Sequence, residues 1–315
     1  MTQITESPTV GDIVATYRRR SLLRVALVAG AALALFITVL IDVITGPADL
    51  SFFRVAHVIF QPGVATPKED VIIWDLRLPV AIMAGVVGAM LGVAGAEMQT
   101  ILNNPLADPF TLGLSSAASF GAAVAIVLGW SVLPGIGALF VTVNAFAFAM
   151  VASMGLFLFT KLRGVSPEAM ILVGIAMLFT FNALLAFLQY GASELQLAQL
   201  IFWHLGSLAR ATWAKVGICV VVLAVVLPYF LSKSWALTAL RMGEDKAAAL
   251  GVNVNGLRLM VLAGVSLLSA VAVSFVGAIA FVGLVGPHIA RMIVGEDQRG
   301  FLPLSALAGA LILSG

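Results

Sequence analysis

Few side chains in this chain could do chemistry. Its three histidines, His57, His204 and His288, stand alone, and no H-E-x-x-H pair is present to hold a catalytic zinc. No G-x-S-x-G offers a nucleophilic serine. No G-x-x-x-x-G-K-[ST] occurs, nor any Gly-Lys pair, so there is no phosphate-cradling loop for a nucleotide. The single cysteine, Cys219, sits in a valine-rich run and reads as a buried hydrophobe, since one cysteine makes neither an internal disulfide nor a metal site. An ion-driven carrier needs ionisable residues within its spans. Here Asp42 and Glu97 are the acidic candidates, and both fall toward the ends of their apolar stretches. An Asp at the centre of a span costs about 2.5–3.5 kcal/mol, and the chain mostly avoids that cost. An energy source for any transport is therefore expected on another subunit.

The elements that must position these residues are set by composition. The chain is 61% hydrophobic and 10% charged, with a mean hydropathy of +1.11, against roughly 25% charged residues in soluble domains. This is an all-α polytopic membrane protein. Met1 to Thr16 is polar and expected to be loose. Tyr17 to Arg24 is basic and precedes an apolar run to Ile41. That run is long and further spans follow, which favours a first span with a cytoplasmic basic flank over a twin-arginine export signal. Asp42 to Trp74, with Gly46-Pro47, Pro62-Gly63 and Pro67, reads as an exposed loop holding a short helix around Phe52 to Phe60. Spans are expected over Arg77–Leu102, Ser115–Leu128 (short), Ile136–Phe159, Pro167–Tyr190 and Lys215–Leu231. Turns lie around Pro134 and Gly164, and Gly191 to Thr212 is amphipathic. Leu257 to Ile293 is long enough for two short spans bent around Gly277. Phe301 to Gly315 starts a further span.

The stretch from Arg77 to Phe120 organises the rest. As a helix, Arg77 to Leu102 extends about 39 Å at 1.5 Å per residue, enough to cross a bilayer. Gly85, Gly88, Gly92 and Gly95 recur at helical spacing, with a G-x-x-x-G at Gly88 and Gly92. Small residues in that pattern let helices approach closely in lipid, so this helix is expected at the centre of the bundle. Pro105 and Pro109 then end it and push Asn104 and Asp108 out of α geometry. With the N-terminus inside, the cytoplasmic side receives 12 of the 17 basic residues, among them Arg24, Lys161, Arg241, Arg258 and Arg291, and the outer side 5, namely Arg54, Lys68, Arg77, Arg210 and Lys215. This satisfies the positive-inside rule.

Arg77-Leu78-Pro79, Gly95 to Gln99, Asn104-Pro105-Leu106-Ala107-Asp108-Pro109, Gly113-Leu114-Ser115-Ser116 and Phe281 to Arg291 together resemble the FecCD-type permeases. Those are the membrane halves of ABC importers for ferric siderophores, haem and vitamin B12. The resemblance covers most of Arg77 to Gly315 and implies a cytoplasmic segment over 1–20 followed by a permease domain over 21–315. It implies about ten spans in the family, with about eight complete and part of a ninth here. It also implies a second permease subunit, as homodimer or paralogous heterodimer, two cytoplasmic ABC ATPase subunits that hold ATP-Mg, and a soluble binding protein on the outer face. No cofactor, resident metal or nucleic acid is implied for this chain. Its place would be the bacterial cytoplasmic (inner) membrane.

Residue by residue, Arg77 is similar to a family arginine that docks the binding protein, although Val80 stands where a second basic residue is frequent. Asn104 and Leu106 match positions that narrow the path at its cytoplasmic end. Ser166, before Pro167 and Glu168, lies where a second constriction falls and is a candidate N-cap. The segment Met242 to Gly251 is the candidate handle for the ATPase. Gly243 breaks the chain, and Glu244 and Asp245 suit a helix N-terminus. Lys246 to Leu250 are good helix formers, and Gly251 suits the position after the helix. Its Glu244, Ala247/Ala248, Leu250 and Gly251 resemble a coupling helix. His288 reads as structural. His57 and His204, on the outer side, are the residues that could meet haem. Ferric siderophore is the expected cargo.

Overall fold

The computed structural model describes residues 10–45, 51–61, 63–133, 135, 137–163 and 166–315. The first nine residues of the N-terminal segment and the turn residues Gly46, Pro47, Pro62, Pro134 and Gly164 lie outside the described residues.

All the regular secondary structure among the described residues is helical. In chain order the helices are α1 (Val10–Ile44), α2 (Phe52–Phe60), α3 (Pro67–Asp70), α4 (Leu78–Ile101), α5 (Leu114–Leu128), α6 (Phe140–Arg163) and α7 (Pro167–Tyr190). They continue as α8 (Glu194–His204), α9 (Trp213–Ser232), α10 (Ser234–Arg241), α11 (Glu244–Ala249), α12 (Val254–Val276), α13 (Val282–Val294) and α14 (Gln298–Ser314). Among the described residues, six helical segments are long and apolar enough to cross a membrane: 22–44, 67–101, 140–162, 167–190, 213–232 and 254–276. That corrects the expectation of about eight complete spans. Helices α5 and α13 have 15 and 13 residues. At 1.5 Å per residue they reach only about 20 Å, short of the roughly 30 Å hydrocarbon core.

Three boundaries differ from the sequence reading. Helix α1 begins at Val10, so 10–16 form its first turns and are not loose. Pro67 to Trp74, the end of the expected loop, is helical, and the helix runs on into the expected span at Arg77. Thr66 and Glu69 make a reciprocal capping box with Pro67 at the first position. A π-helical stretch, Val71–Arg77, then runs without a break into α4. Lys68, Glu69, Asp70 and Asp75 lower the hydropathy there and hid a start signal that is locally clear. Finally, Leu257 to Ile293 is one full span and one short helix. Gly277, at φ 84°, ends α12 where a side chain would strike the Trp203 carbonyl and the Gly206 backbone.

Helix α4 is the centre, as its small residues led us to expect. Its most apolar window is 72% buried, against 6% for α1 and 11% for α7. It packs on α14, α13, α12 and α9. A Cβ on Gly88 would collide with the Gly309 carbonyl, one on Gly92 with that of Ser305, and one on Gly95 with that of Gly283. Backbone therefore touches backbone along this seam. Gly85 is the exception: its nearest neighbour is Leu35 Cδ1, at an ordinary 3.7 Å from the position a Cβ would take. Two runs of contact cross the bundle. Helix α5 lies on α6 and α6 on α12, while α13 lies on α14 and α14 on α4.

Polar contacts fix which segments share an end. Arg24 Nη1 donates to Asp297 Oδ2 at 2.6 Å, which places the early part of α1 beside the α13–α14 loop. At the opposite end, Arg77 Nη1 donates to the carbonyls of Val43 and Ile44 at 3.0 Å. There too, Trp213 Nε1 donates to the Trp74 carbonyl.

Candidate functional site

The site forms where α4 stops. A helix end leaves its last carbonyls without intrahelical partners. Here the chain closes with Asn103 at φ 45°, where glycine or asparagine is usual. The amides of Asn103 and Asn104 turn back onto the carbonyls of Thr100 and Gln99. The Gln99 carbonyl also accepts from Arg241 Nη1 at 3.3 Å, and the Ile101 carbonyl from Arg258 Nε at 3.4 Å. Cations at a helix C-terminus are favoured by its dipole.

Three arginines converge on this end, and each ties α4 to a different segment. Arg241, at the end of α10, pairs with Glu296. Arg291, in α13, donates from Nη2 to Gln99 Oε1 at 2.6 Å and lies 3.4 Å from Glu296. Arg258, on α12, donates to Glu244 Oε1 at 2.5 Å. Gln298, buried, donates to Thr100 Oγ1 at 2.8 Å. In the sequence Arg241 and Arg258 stand out only as cytoplasmic charge, Arg291 and Gln99 only as members of longer motifs, and Glu296 and Gln298 not at all as partners. The partners lie on segments far apart in sequence, and no local pattern announces them.

Beyond Asn103 the chain makes the Asn-Pro-Leu-Ala-Asp-Pro turn. Asn104 Oδ1 accepts the Leu106 amide at 2.9 Å, an Asx turn that leaves the Leu106 side chain 69% exposed. Asp108 is buried and its Oδ1 accepts the Phe110 amide, starting a single 3-10 turn, Pro109–Leu112. Gly113, at φ 78°, then joins α5; a Cβ there would come 2.8 Å from the Leu178 amide nitrogen of α7. The turn is thus set rigidly between α4 and α7.

Helix α11 stands beside it. Gly243, at φ 110°, makes the break before Glu244, and the amides of Gly251 and Val252 close the helix onto the carbonyls of Ala248 and Ala247. Ala247 is fully buried, whereas Asp245, Lys246, Ala248 and Leu250 face outward, Leu250 at 51% exposure with Met242 alongside at 52%. Glu244 does not face outward alone: its carboxylate is taken by Arg258. A cleft of about 320 Å³ brings Gly243, Glu244 and Arg258 together with Thr100 to Asn103 and with Ser166, Pro167 and Glu168. Ser166 has the extended backbone of an N-cap, without a side-chain bond to the helix amides. Ser166 therefore shares one cleft with Gly243 and Glu244, while Asp245, Ala248, Leu250 and Gly251 do not line it and Asn104 and Leu106 sit on the turn beyond it. Arg77 is at the far end of the bundle.

The remaining candidates are dispersed. Glu97 is enclosed within α4, and neither carboxylate oxygen has a hydrogen-bond partner among the described residues. Asp42 is exposed at the end of α1. His204, at the far end, shares a hydrogen bond with Ser119 at 3.0 Å. Among the described residues no three His, Cys, Asp or Glu side chains gather as a metal site.

The FecCD transport family matches residues 33–315. An ABC transporter permease protein of Methanocaldococcus jannaschii is 41% identical over 89% of this chain and 82% of its own length. The molybdate import system permease of Haemophilus influenzae is 34% identical over 89% of this chain and 83% of its own. The solved structure of a metal-chelate type ABC transporter in an inward-facing conformation is 32% identical, with a TM-score of 0.80, over 92% of this chain and 88% of that one.

Proposed function

Because this chain belongs to the FecCD transport family, as a non-catalytic membrane permease subunit of a type II ABC importer, we propose that its cargo is a ferric siderophore complex. A soluble binding protein delivers the complex, and two cytoplasmic ATPase subunits holding ATP-Mg drive the cycle. A second permease subunit completes the path. In this reading the Glu244 end faces the cytoplasm, which puts the N-terminal part of α1 inside and Arg77 outside.

The observation that carries the reading is the build of α11. It is a one-and-a-half-turn helix, too short to be stable alone in water. It is nevertheless closed at its C-terminal end, anchored through Ala247, and braced by the Glu244–Arg258 bond. What it leaves outward is a small apolar surface, Ala248 and Leu250, flanked by Asp245 and Lys246. A rigid lever with an apolar tip suits capture by another protein. Its base is bonded through Arg258 to the last carbonyl of α4, that of Ile101, and the Asn104–Leu106 turn begins three residues later. A push on α11 is thereby passed to the residues proposed to gate the path, Asn104, Leu106 and Ser166.

Arg77 keeps its proposed role in docking. Its guanidinium is already oriented by the Val43 and Ile44 carbonyls, so an acidic residue of the binding protein would meet a pre-set donor.

Cargo is decided by experiment, because permeases of this similarity serve different substrates. Uptake of labelled ferric siderophores, haem, cobalamin and molybdate is compared in a deletion strain carrying this chain with its ATPase and binding protein. Siderophore uptake that requires ATP supports the reading. Uptake of haem or cobalamin alone moves the assignment to those alternatives, and gradient-driven transport by the isolated chain rejects the ABC cycle.

A further inference from the structure

At the Arg77 end, the end of α5, the beginnings of α6 and α9, the end of α12, and α8 with the segment after it line two adjoining open cavities of about 510 Å³ each. They share Thr142, Lys215, Ser274 and Phe275. The first is polar at its rim, with Gln199, Trp203 and Arg210 joining Lys215. The second is apolar, walled by Leu139, Val143, Phe146, Ile218 and Val271.

Part of the change in character follows depth, although Leu139, Thr212 and Ala214, at the level of the rim, also line the second cavity. Lys215 is in the first turn of α9, and Ile218 is one turn further in. Ser274 and Phe275 are in the last turn of α12, and Val271 is one turn further in. Thr142 opens α6, and Phe146 lies one turn below it. The level of the rim is marked by indoles. Trp203 lines it, and Trp213, at the head of α9, is bonded to the Trp74 carbonyl. Indoles concentrate at the membrane–water interface.

The rim carries two positive charges without a carboxylate. Lys215 Nζ donates to the Arg210 carbonyl, and Arg210 Nη2 to the Phe202 carbonyl, each at 2.8 Å. Neither is in an ion pair among the described residues, whereas Arg54 at the same end is held by Glu69. An ammonium has three N–H groups and a guanidinium five, so most of their donors are left over. Burial also pulls the Arg210 pKa down, the sign expected of a cation short of solvent.

We propose that this pair of cavities is a binding site for an anionic phospholipid, its phosphodiester held by Arg210 and Lys215 and an acyl chain lying along Ile218, Val271 and Phe146. The complementarity is twofold: two cations lie at the headgroup level, and an apolar cavity adjoins them and extends about one helical turn further in, to Ile218, Val271 and Phe146. A soluble anion would use the rim alone and leave the apolar cavity without a role. The site stands apart from the α4 turn and α11, so it does not depend on which cargo is carried.

The test uses the full chain in detergent with phosphatidylglycerol and phosphatidylcholine as probes. Native mass spectrometry measures which lipid is retained. Quenching of tryptophan by brominated forms of the two lipids reports the site, with Trp203→Phe identifying the share due to Trp203. The expected result is a preference of about tenfold for phosphatidylglycerol. The preference should be lost in Arg210→Gln/Lys215→Gln and kept in Arg210→Lys/Lys215→Arg. Equal retention of the two lipids by the wild-type chain overturns the proposal, and this arm needs no variant to fold. So does an unchanged preference in the folded double Gln variant. Displacement of phosphatidylglycerol by glycerol phosphate would assign the rim to a soluble anion instead and also overturns it.

Discussion

Arg258 and Glu244 form an unequal pair: the arginine side chain is 3% exposed and the glutamate side chain 49%. The two ends of one bond therefore have different consequences. Arg258 is enclosed and also serves the Ile101 carbonyl, so replacing it strips a partner from the end of α4. Arg258→Ala is expected to destabilise by about 2–4 kcal/mol. Glu244→Gln keeps an acceptor in a half-solvated position and is expected to cost about 1 kcal/mol or less. Thermal unfolding of the two variants in detergent checks the order. Equal losses would show that the bond does not brace α11 against a buried base.

Leu250 separates docking from folding. It caps the C-terminal end of α11 and its side chain is half exposed, so Leu250→Asp removes the apolar surface that α11 turns outward while disturbing only the half that the isolated chain covers. Stability is expected to stay within about 0.5 kcal/mol of wild type. Co-purification of the ATPase should fall sharply, and uptake with it. Retained co-purification alongside full uptake would take the coupling role away from α11.

The sequence made the membrane architecture and its local signals readable, because each was written within a few residues. The small residues of α4, the two prolines after it, and the Gly243 break with Gly251 closing the next helix all act over one or two turns. Other features were not local. The glycines of α4 showed that something packs closely, but not that the partners are Gly283, Ser305 and Gly309. Gly85 carries the same spacing and meets only Leu35, since composition cannot say which face meets another backbone. The arginine network depends on α10, α12 and α13 returning to one helix end. Pro67 to Trp74 reads as loop for a different reason: its charges outweigh a capping box at Thr66 that points to a helix.

The contrast within α4 is itself testable. A methyl group on Gly88 would sit on the Gly309 carbonyl, and relief requires separating α4 from α14 along their closest seam. Gly88→Ala is expected to cost about 3 kcal/mol or more, or to prevent recovery of folded protein. Gly85→Ala adds the same methyl group where it makes an ordinary contact, and helix propensity alone favours it by about 0.5–1 kcal/mol. Melting temperatures of the two alanine variants decide the matter. A tolerated Gly88→Ala would mean the α4–α14 seam is looser than its backbone contacts indicate.

Glu97 tests what drives the cycle. Its carboxyl is enclosed by the bundle with neither oxygen hydrogen-bonded among the described residues, and a carboxylate charge in such a place costs several kcal/mol. An acidic side chain inside a span is also the group an ion-coupled carrier would protonate and deprotonate in each cycle. The two roles make opposite demands. If nucleotide hydrolysis on a partner supplies the work through α11, the carboxyl need never ionise. Glu97→Gln, which keeps the shape and removes the titration, should then leave uptake within about twofold of wild type. If a proton were the coupling ion, the same variant would abolish uptake, and wild-type uptake would collapse with a protonophore while ATP was maintained. Measuring both in one strain, with the binding protein and ATPase co-expressed, separates the two. Loss of uptake in a Glu97→Gln variant that is inserted and melts normally would move the energy source from the partner's nucleotide to this carboxyl.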